Sequence, residues 1–495
     1  MGKRFFRDLL ILSLSSLLTR GVGVVWSGYL SRRVGAGVMG LHTVVLNLYG
    51  FAVTLGVAGI GLAVTRLVSE REEKGDRAGA FAVVSRSLFC ATVTGGSVGL
   101  LLLVLAYPFG RFLLGDPLTA PLVRALALPV VSISVSAVFS GYFTAVRRAW
   151  VNVLSGVAEL ILRITLTLRL LSPAPASDCA AVFRLLLGGG LAEAISALLL
   201  VLFYLADRRR SPARPEPGTT RRILSISLPI ALSGCLRAGL STLGHLLIPF
   251  SLCRSGLDRA AALASYGTLA GMALPVVLYP MAILSAGAAL LVPEFSHRRA
   301  AGDPEGIVLL TRRALYCTLG FSFGCFAFLS AFAAPLGGLL FGSEDAGRFI
   351  AYLAPVVPVM FLDHITDAAL KGIGEQVAVM WINIADSALT VLLILLLLPK
   401  LGIVGYILMI ALTEIFNFGC SFGRLQKKTG YRPAPLRALL PLLSSLFALV
   451  FSRAFLVPGT RSTAGLFVGG AAALALYLLP FVPFFPRRAK NASNA

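Results

Sequence analysis

Apolar stretches of about 20 residues or more alternate with short polar ones along nearly the whole chain. Fourteen can be marked, at about 9–30, 38–64, 80–107, 121–145, 149–171, 181–205, 223–250, 264–292, 309–333, 349–370, 377–398, 404–423, 435–456 and 462–485. At ~1.5 Å of rise per residue each can cross the hydrocarbon core of a bilayer as a helix. Proline and glycine inside many of them are tolerable, because neighbouring helices can satisfy the freed backbone groups. The pattern predicts an all-α polytopic membrane protein.

The first stretch, Leu9 to Tyr29, carries Arg20 near its middle, far from either water layer. On a helical wheel Ser13, Ser16, Arg20, Gly23 and Ser27 share one face, and Leu14, Leu18, Val22, Val25 and Tyr29 the opposite one. The second face suits lipid. The first needs protein or a water-filled cavity holding an anion, since a lone central guanidinium costs at least ~2.5–3.5 kcal/mol on insertion scales. The alternative is an internal salt bridge between two helices. The basic start (Lys3, Arg4, Arg7) resembles a signal peptide, but the length of the run, Arg20 and the lack of a small-residue cleavage site predict a retained first helix.

Composition agrees: of 495 residues 57% are hydrophobic and 13% charged, with a mean hydropathy of +0.86. The net charge of +22 could suggest nucleic acid, but the basic residues sit in short loops between apolar runs, so no nucleic-acid partner is expected. With the N-terminus on one side, that side collects about 28 Lys and Arg and the other about 10, which predicts both termini in the cytoplasm. The seven cysteines form no CxxC pair, and most lie within apolar runs (Cys90, Cys235, Cys317, Cys325, Cys420), so neither a disulfide framework nor a metal site is expected.

The chain also repeats itself. Leu67-Val68-Ser69-Glu70 recurs as Leu291-Val292-Pro293-Glu294, Asp76-Arg-Ala-Gly79 as Asp303-Pro-Glu-Gly306, and Pro129-Val130-Val131 as Pro355-Val356-Val357, at offsets of 224, 227 and 226 residues. A displacement of six spans means parallel repeats, both facing the same way. The predicted organisation is a six-helix bundle over 1–206, a basic cytoplasmic linker over 207–222, a second six-helix bundle over 223–423, and two further helices with a basic tail over 424–495.

If the halves are duplicated, the seventh span should echo the first. Arg237 does so, on a face shared with Ser233, Ser241, Gly244 and His245. Two arginines at similar depth would face each other across the pseudo-two-fold axis, a site suited to a pyrophosphate because planar guanidinium forks match its oxygens. Arg20, Arg237, Ser16, Ser27 and Ser241 are the candidate substrate contacts. The alternative pairs each arginine with a carboxylate, from Glu159, Glu193, Asp363 and Asp367. Glu159 and Arg163, at i, i+4, predict a local pair, and Asp363, Asp367 and Lys371 a similar stripe. Asn383 and Asp386, with Thr413, Glu414 and Asn417, form an oxygen-rich group that either holds Na⁺ or a proton or links two helices by hydrogen bonds. His245 and His364 are lone histidines, expected to be structural. No GxSxG, HExxH, P-loop or strand-led GxGxxG is present and the loops are short, so no enzyme and no organic cofactor is expected.

The stretch Tyr29-Leu30-Ser31-Arg32-Arg33-Val34-Gly35-Ala36-Gly37-Val38-Met39-Gly40-Leu41, after a first span with a basic residue, resembles the polysaccharide-flippase branch of the MOP (multidrug/oligosaccharidyl-lipid/polysaccharide) superfamily. It is most similar to stage V sporulation protein B-like members and, more distantly, to MurJ-type lipid II flippases. Leu370-Lys-Gly-Ile-Gly-Glu-Gln376, Asn383-Ile-Ala-Asp386 and Pro399-Lys-Leu-Gly-Ile-Val-Gly-Tyr406 look like the C-terminal half of that family. The resemblance implies two bundles rocking about a cationic cavity, with Arg20 at the family's basic position. Where MurJ-type proteins carry a second basic residue on that helix, this chain has Val25, Trp26 and Ser27. It also implies that spans 13 and 14 form a groove for a lipid tail, and that Asn383, Asp386 and Thr413 match a Na⁺ site seen in some members. The expected function is a flippase for a polyprenyl-pyrophosphate-linked saccharide in the cytoplasmic membrane, its partners being the bilayer, that substrate and envelope-synthesis enzymes. The alternatives are a multidrug antiporter of the same superfamily, which would call for acidic cavities, and a scaffold for an envelope-building complex.

Overall fold

A helical hydrogen-bond pattern runs from Lys3 to Val57, yet Gly35 inside it lies at φ 83°, ψ 168°. Only glycine adopts that conformation at little cost. Gly402, at φ 58°, ψ −135°, does the same within Gln376–Thr429. At each glycine the chain kinks and the long run divides into two helices, read as two spans. The structure is a computed structural model describing residues 3–172, 175–208, 218–433, 436–457 and 463–478, with side chains given for all of these except 3–17, 436–438, 463 and 467.

The spans are α1 (3–34), α2 (36–73), α3 (Arg77–Val104), α4 (Pro117–Ala145), α5 (Ala149–Leu171), α6 (Asp178–Arg208), α7 (Thr219–Arg254), α8 (259–300), α9 (Pro304–Phe341), α10 (Glu344–Gly372), α11 (376–401), α12 (403–429), α13 (436–456) and α14 (Thr463–Leu478). Eleven helices among the described residues are long and apolar enough to cross a membrane, two of them being the glycine-divided pairs Leu18–Glu73 and Gln376–Thr429. With both pairs divided these make thirteen of the fourteen expected spans, and the fourteenth is the shorter apolar helix α14, whose expected span runs on past the described residues. The linker expected at 207–222 falls largely on 209–217, outside the described residues.

Features six spans apart match in detail. Asp76 caps α3 by accepting the Gly79 N–H at 2.9 Å, and Asp303 caps α9 by accepting the Gly306 N–H at 2.7 Å. Each cap also holds an arginine from the preceding span, Arg71 at 2.8 Å and Arg298 at 3.4 Å. Both α2 and α8 break midway, α2 at Ala58–Gly59, where φ is positive, and α8 at Tyr279–Pro280. A π-turn over Phe109–Leu113 follows α3 shortly after its end, and another, over Gly337–Phe341, ends α9.

Packing groups the described residues into two compact units that do not follow chain order. The first takes residues within Met1–Trp26, Arg33–Gly267 and Ser387–Tyr406. Its core joins Ile60, Val64 and Phe81 to Phe139, Tyr142 and Tyr204, with the Tyr142 and Tyr204 rings edge to face at 5.3 Å. Asp207 closes the end of α6, accepting from Tyr142 Oη at 3.2 Å and Arg148 Nη1 at 2.7 Å. In the same unit Gly40 and Gly267 let α2 and α8 touch backbone to backbone, and a Cβ at Gly40 would overlap the Leu263 carbonyl.

The second unit takes residues within Ser27–Arg32, Thr268–Asp386 and Ile407–Ala495. One cluster holds Phe295, Leu370, Leu425 and Tyr431. Another holds Ala327, Ala448 and Tyr477, where Tyr477 Oη donates to the Gly320 carbonyl at 2.5 Å and ties α14 to α9.

Each unit also carries an arginine laid on a helix end. In the second, Arg32 donates to the carbonyls of Gly338 (3.1 Å), Leu339 and Leu340 (3.1 Å). In the first, Arg259 donates to the carbonyls of Leu114 and Gly115. These carbonyls lie at the π-turn that ends α9 and just past the one that follows α3; Gly338 also accepts the Gly342 N–H at 3.0 Å, and a cation complements the negative helix terminus. Arg32 and Arg259 stand at the same separation as Asp76 and Asp303, the first gripping the end of α9 and the second the turn that follows α3.

Candidate functional site

Arg20 lies on α1 and Arg237 on α7, and both side chains are exposed at the surface of the first unit. Neither forms an ion pair with a described residue. Ser241, one turn beyond Arg237, is exposed as well. Ser16 lies outside the described side chains. Ser27 belongs to the second unit, where its hydroxyl donates to the Gly271 carbonyl at 2.8 Å. The structure therefore gives Arg20, Arg237 and Ser241 open surroundings, and gives Ser27 a partner within the protein.

The carboxylates offered as partners for these arginines are engaged elsewhere or sit apart from them. Glu159 accepts from Arg163 one turn along α5, as the spacing predicts. Asp367 takes Lys371 Nζ at 3.7 Å, again at i, i+4. Asp363 accepts from Asn417 Nδ2 at 3.2 Å. Glu193 is buried on α6, and its electrostatic neighbours are Glu159 and Arg163. His42 and Tyr49 of α2 interact with the same α5 arginine. This polar group of α2, α5 and α6 was not assembled by sequence reasoning, and its one trace is the seven-residue spacing of His42 and Tyr49, which puts both on one face.

The oxygen-rich group is wired differently from expectation. Asn383 Nδ2 donates to Asp367 Oδ2 at 3.2 Å and to the Val379 carbonyl at 2.8 Å. Ser421 Oγ donates to Asp367 Oδ1 at 3.0 Å. Thr413 is buried and turns its hydroxyl to its own helix, the Met409 and Ile410 carbonyls at 3.0 and 3.1 Å. So α10 receives bonds from α11 and α12 at two carboxylates, Asp367 from Asn383 and Ser421 and Asp363 from Asn417, which joins part of the acidic stripe to part of the oxygen-rich group. Asp363 Oδ1, Asp386 Oδ1 and Asn417 Oδ1 are buried without a hydrogen-bond partner. Among the described residues no group of three or more His, Cys, Asp or Glu stands ready to hold a metal ion. The lone histidines find hydroxyl partners: His245 Nδ1 meets Tyr266 Oη at 3.0 Å, and His364 Nε2 meets Ser285 Oγ at 3.2 Å.

Just past the cytoplasmic end expected for α10, Glu375 accepts from Arg424 Nη2 at 2.6 Å and Lys428 Nζ at 2.7 Å. Hydrogen bonds from Lys428 and Arg424 hold its carboxyl below the usual carboxylate range.

The fold is that of the MOP-superfamily transporters. It superposes on a lipid II flippase MurJ in an inward closed conformation with a TM-score of 0.68 at 12% identity, covering 97% of this chain and 99% of that one. It superposes equally on an inward-facing MATE-family multidrug resistance transporter, TM-score 0.68 at 15% identity, covering 85% of this chain and 98% of that one. The family described as polysaccharide biosynthesis protein matches residues 5–299, and the chain belongs to it. A second family, MatE, matches residues 229–396. Among individual proteins the chain is similar to stage V sporulation protein B of Bacillus subtilis (strain 168), 24% identical over 420 residues, 81% of this chain and 79% of that protein. It is also similar to sporulation protein YkvU of the same organism, 23% identical over 438 residues, 83% of this chain and 94% of that protein.

Proposed function

We propose that this multi-pass membrane protein is a flippase, carrying a polyprenyl-pyrophosphate-linked saccharide across the cytoplasmic membrane by alternating access and without covalent chemistry of its own. The observation that carries the reading is the pair Arg20 and Arg237: cationic, at membrane depth, exposed, and without an ion pair among the described residues. An unpaired guanidinium is costly in hydrocarbon, and a phosphate-bearing ligand in a hydrated cavity offsets that cost with bidentate hydrogen bonds. Family membership and the likeness to a lipid II flippase support the same substrate class. Envelope-synthesis enzymes are the natural suppliers and consumers of such a substrate.

Coupling to Na⁺ or a proton belongs to this proposal. Of Asn383, Asp386 and Thr413, Asp386 is the strongest candidate, because its Oδ1 is buried without a partner whereas the other two donate to protein oxygens. The likeness to a MATE transporter favours a second reading, multidrug antiport. Cationic drugs would be repelled by Arg20 and Arg237, which weighs against it.

The test is headgroup transport in proteoliposomes, with several polyprenyl-pyrophosphate-linked saccharides and a cationic dye run in parallel. Transport of a saccharide lipid, reduced at least tenfold by Arg20→Ala or Arg237→Ala at unchanged protein level, is the expected result. Dye antiport with no saccharide transport would replace the flippase reading by the second one. Movement of neither, with undiminished binding of an envelope-synthesis enzyme, would leave a scaffold.

A further inference from the structure

Within the first unit, α2, α3, α7 and the start of α8 enclose a cavity of about 810 Å³. Its walls are almost wholly apolar, among them Leu48, Leu102 and Leu246. Interiors tolerate few voids larger than a water molecule, and an apolar wall offers water no hydrogen bonds. In a membrane the solvent that fills such a space is hydrocarbon chain, and the volume lies in the ~300–1,000 Å³ range of ligand pockets.

One end of the cavity is basic. Arg259 lines it, held in place by the Leu114 and Gly115 carbonyls. Phe250 and Phe112 also line it and are largely exposed, so its lining reaches the surface at these rings. Over each of these rings lies a further guanidinium, Arg254 at 4.7 Å from Phe250 and Arg111 at 5.4 Å from Phe112. None of the three arginines forms an ion pair with a described residue. The neighbouring carboxylates cap helices instead: Asp116 accepts the Leu118 N–H at 2.9 Å and Asp258 the Ala261 N–H at 3.0 Å. An apolar slot with an aromatic mouth and three available cations matches an amphipathic anion.

We infer that this cavity binds an anionic phospholipid of the bilayer, one acyl chain between α2, α3 and α7 and the phosphate among Arg111, Arg254 and Arg259. The site is separate from Arg20 and Arg237 and does not rest on the flippase reading. A polyprenyl carrier is the less suitable occupant, because its chain is far longer than the slot.

Native mass spectrometry of the purified full-length protein, titrated with phosphatidylglycerol and with phosphatidylcholine of identical chains, tests this directly. Phosphatidylglycerol should be retained in preference, and Arg111→Gln with Arg254→Gln should weaken it about fivefold per arginine removed, taking ~1 kcal/mol per basic residue at a membrane surface. Neither residue caps a helix, so folding should survive; Arg111→Lys with Arg254→Lys should keep most of the preference. Leu246→Trp, which fills the slot, should abolish retention of both lipids with the arginines intact. Equal retention of the two lipids by the wild-type protein, or unchanged retention after Leu246→Trp, overturns the inference. So does displacement of phosphatidylglycerol by an equimolar polyprenyl phosphate, which would assign the slot to the carrier chain.

Discussion

At the scale of single residues, Arg20 and Arg237 carry charge that no described residue neutralises by an ion pair. If Arg20 and Arg237 hold one pyrophosphate, Lys at either position should restore transport only in part, since an ammonium supplies charge without the bidentate fork. The double alanine variant should be little worse than either single one, because both act on one ligand and effects at a shared site do not add. Additive losses in the transport assay would separate the two arginines into independent roles. Asp386 tests the ion: with Na⁺ coupling, Asp386→Asn should abolish Na⁺ dependence of transport, whereas unchanged transport in Na⁺-free buffer leaves Asp386 a structural role. Glu375 makes a pH prediction of a different kind. Its folded carboxyl is held low by Lys428 and Arg424, so its contribution is present above the unfolded carboxylate range and is lost as pH falls through the folded value. Glu375→Gln should therefore lower the thermal midpoint at neutral pH, and the gap from wild type should close in acid. A gap that persists unchanged at low pH would assign the effect to packing. These residues also mark how far sequence reaches. Glu159–Arg163 and Asp367–Lys371 were legible because one helix fixes i, i+4 geometry by itself. The bonds from Asn383 and Ser421 to Asp367 were not, because they depend on how three helices are rotated about their axes.

At the scale of elements, two glycines decide where spans end. Gly35 at φ 83°, ψ 168° separates α1 from α2, and a side chain there meets its own backbone, although no neighbouring atom obstructs a Cβ. Gly35→Ala should therefore destabilise by about 1–3 kcal/mol through the backbone alone. Thermal or denaturant unfolding in detergent, with the freely accommodated Gly23→Ala as control, measures it. Equal stability of the two variants would mean that the turn relaxes into another conformation. Hydropathy located that turn to within a few residues, since a loop must interrupt an apolar run too long for one crossing. The caps Asp76 and Asp303 account for one of the three short sequence matches: each carboxylate serves a helix N-terminus and an arginine together. The grips of Arg32 and Arg259 left no local signal. Both partners are backbone carbonyls, which every sequence has. The cavity with Arg259 at its rim was hidden for a related reason, its walls being ordinary leucines whose separation only packing reveals.

At the scale of the whole molecule, orientation is the quantity on which every transport argument depends. The loops on the N-terminal side carry about 28 Lys and Arg, those on the other side about 10. Insertion machinery retains basic loops in the cytoplasm, so the denser side is expected there. Fourteen crossings are an even number, which returns the C-terminus to the side of the N-terminus. Tags at Met1, within Arg208 to Arg222, and at Ala495 should thus all report cytoplasm, and tags at Gly256 or Ser343 the outside. Gly256 and Ser343 suit the test, because both are at turns, Gly256 with φ 100° and Ser343 as the cap of α10. The prediction is sensitive to α8, whose break at Tyr279–Pro280 divides it into legs of about 20 residues. If each leg crossed separately, the order of sides would invert from that point onward. Ser343 would then report cytoplasm while Gly256 still reported the outside. An inverted pair of that kind would place the α10–α12 network the other way up in the membrane, and a cation taken up there would be driven from the opposite side.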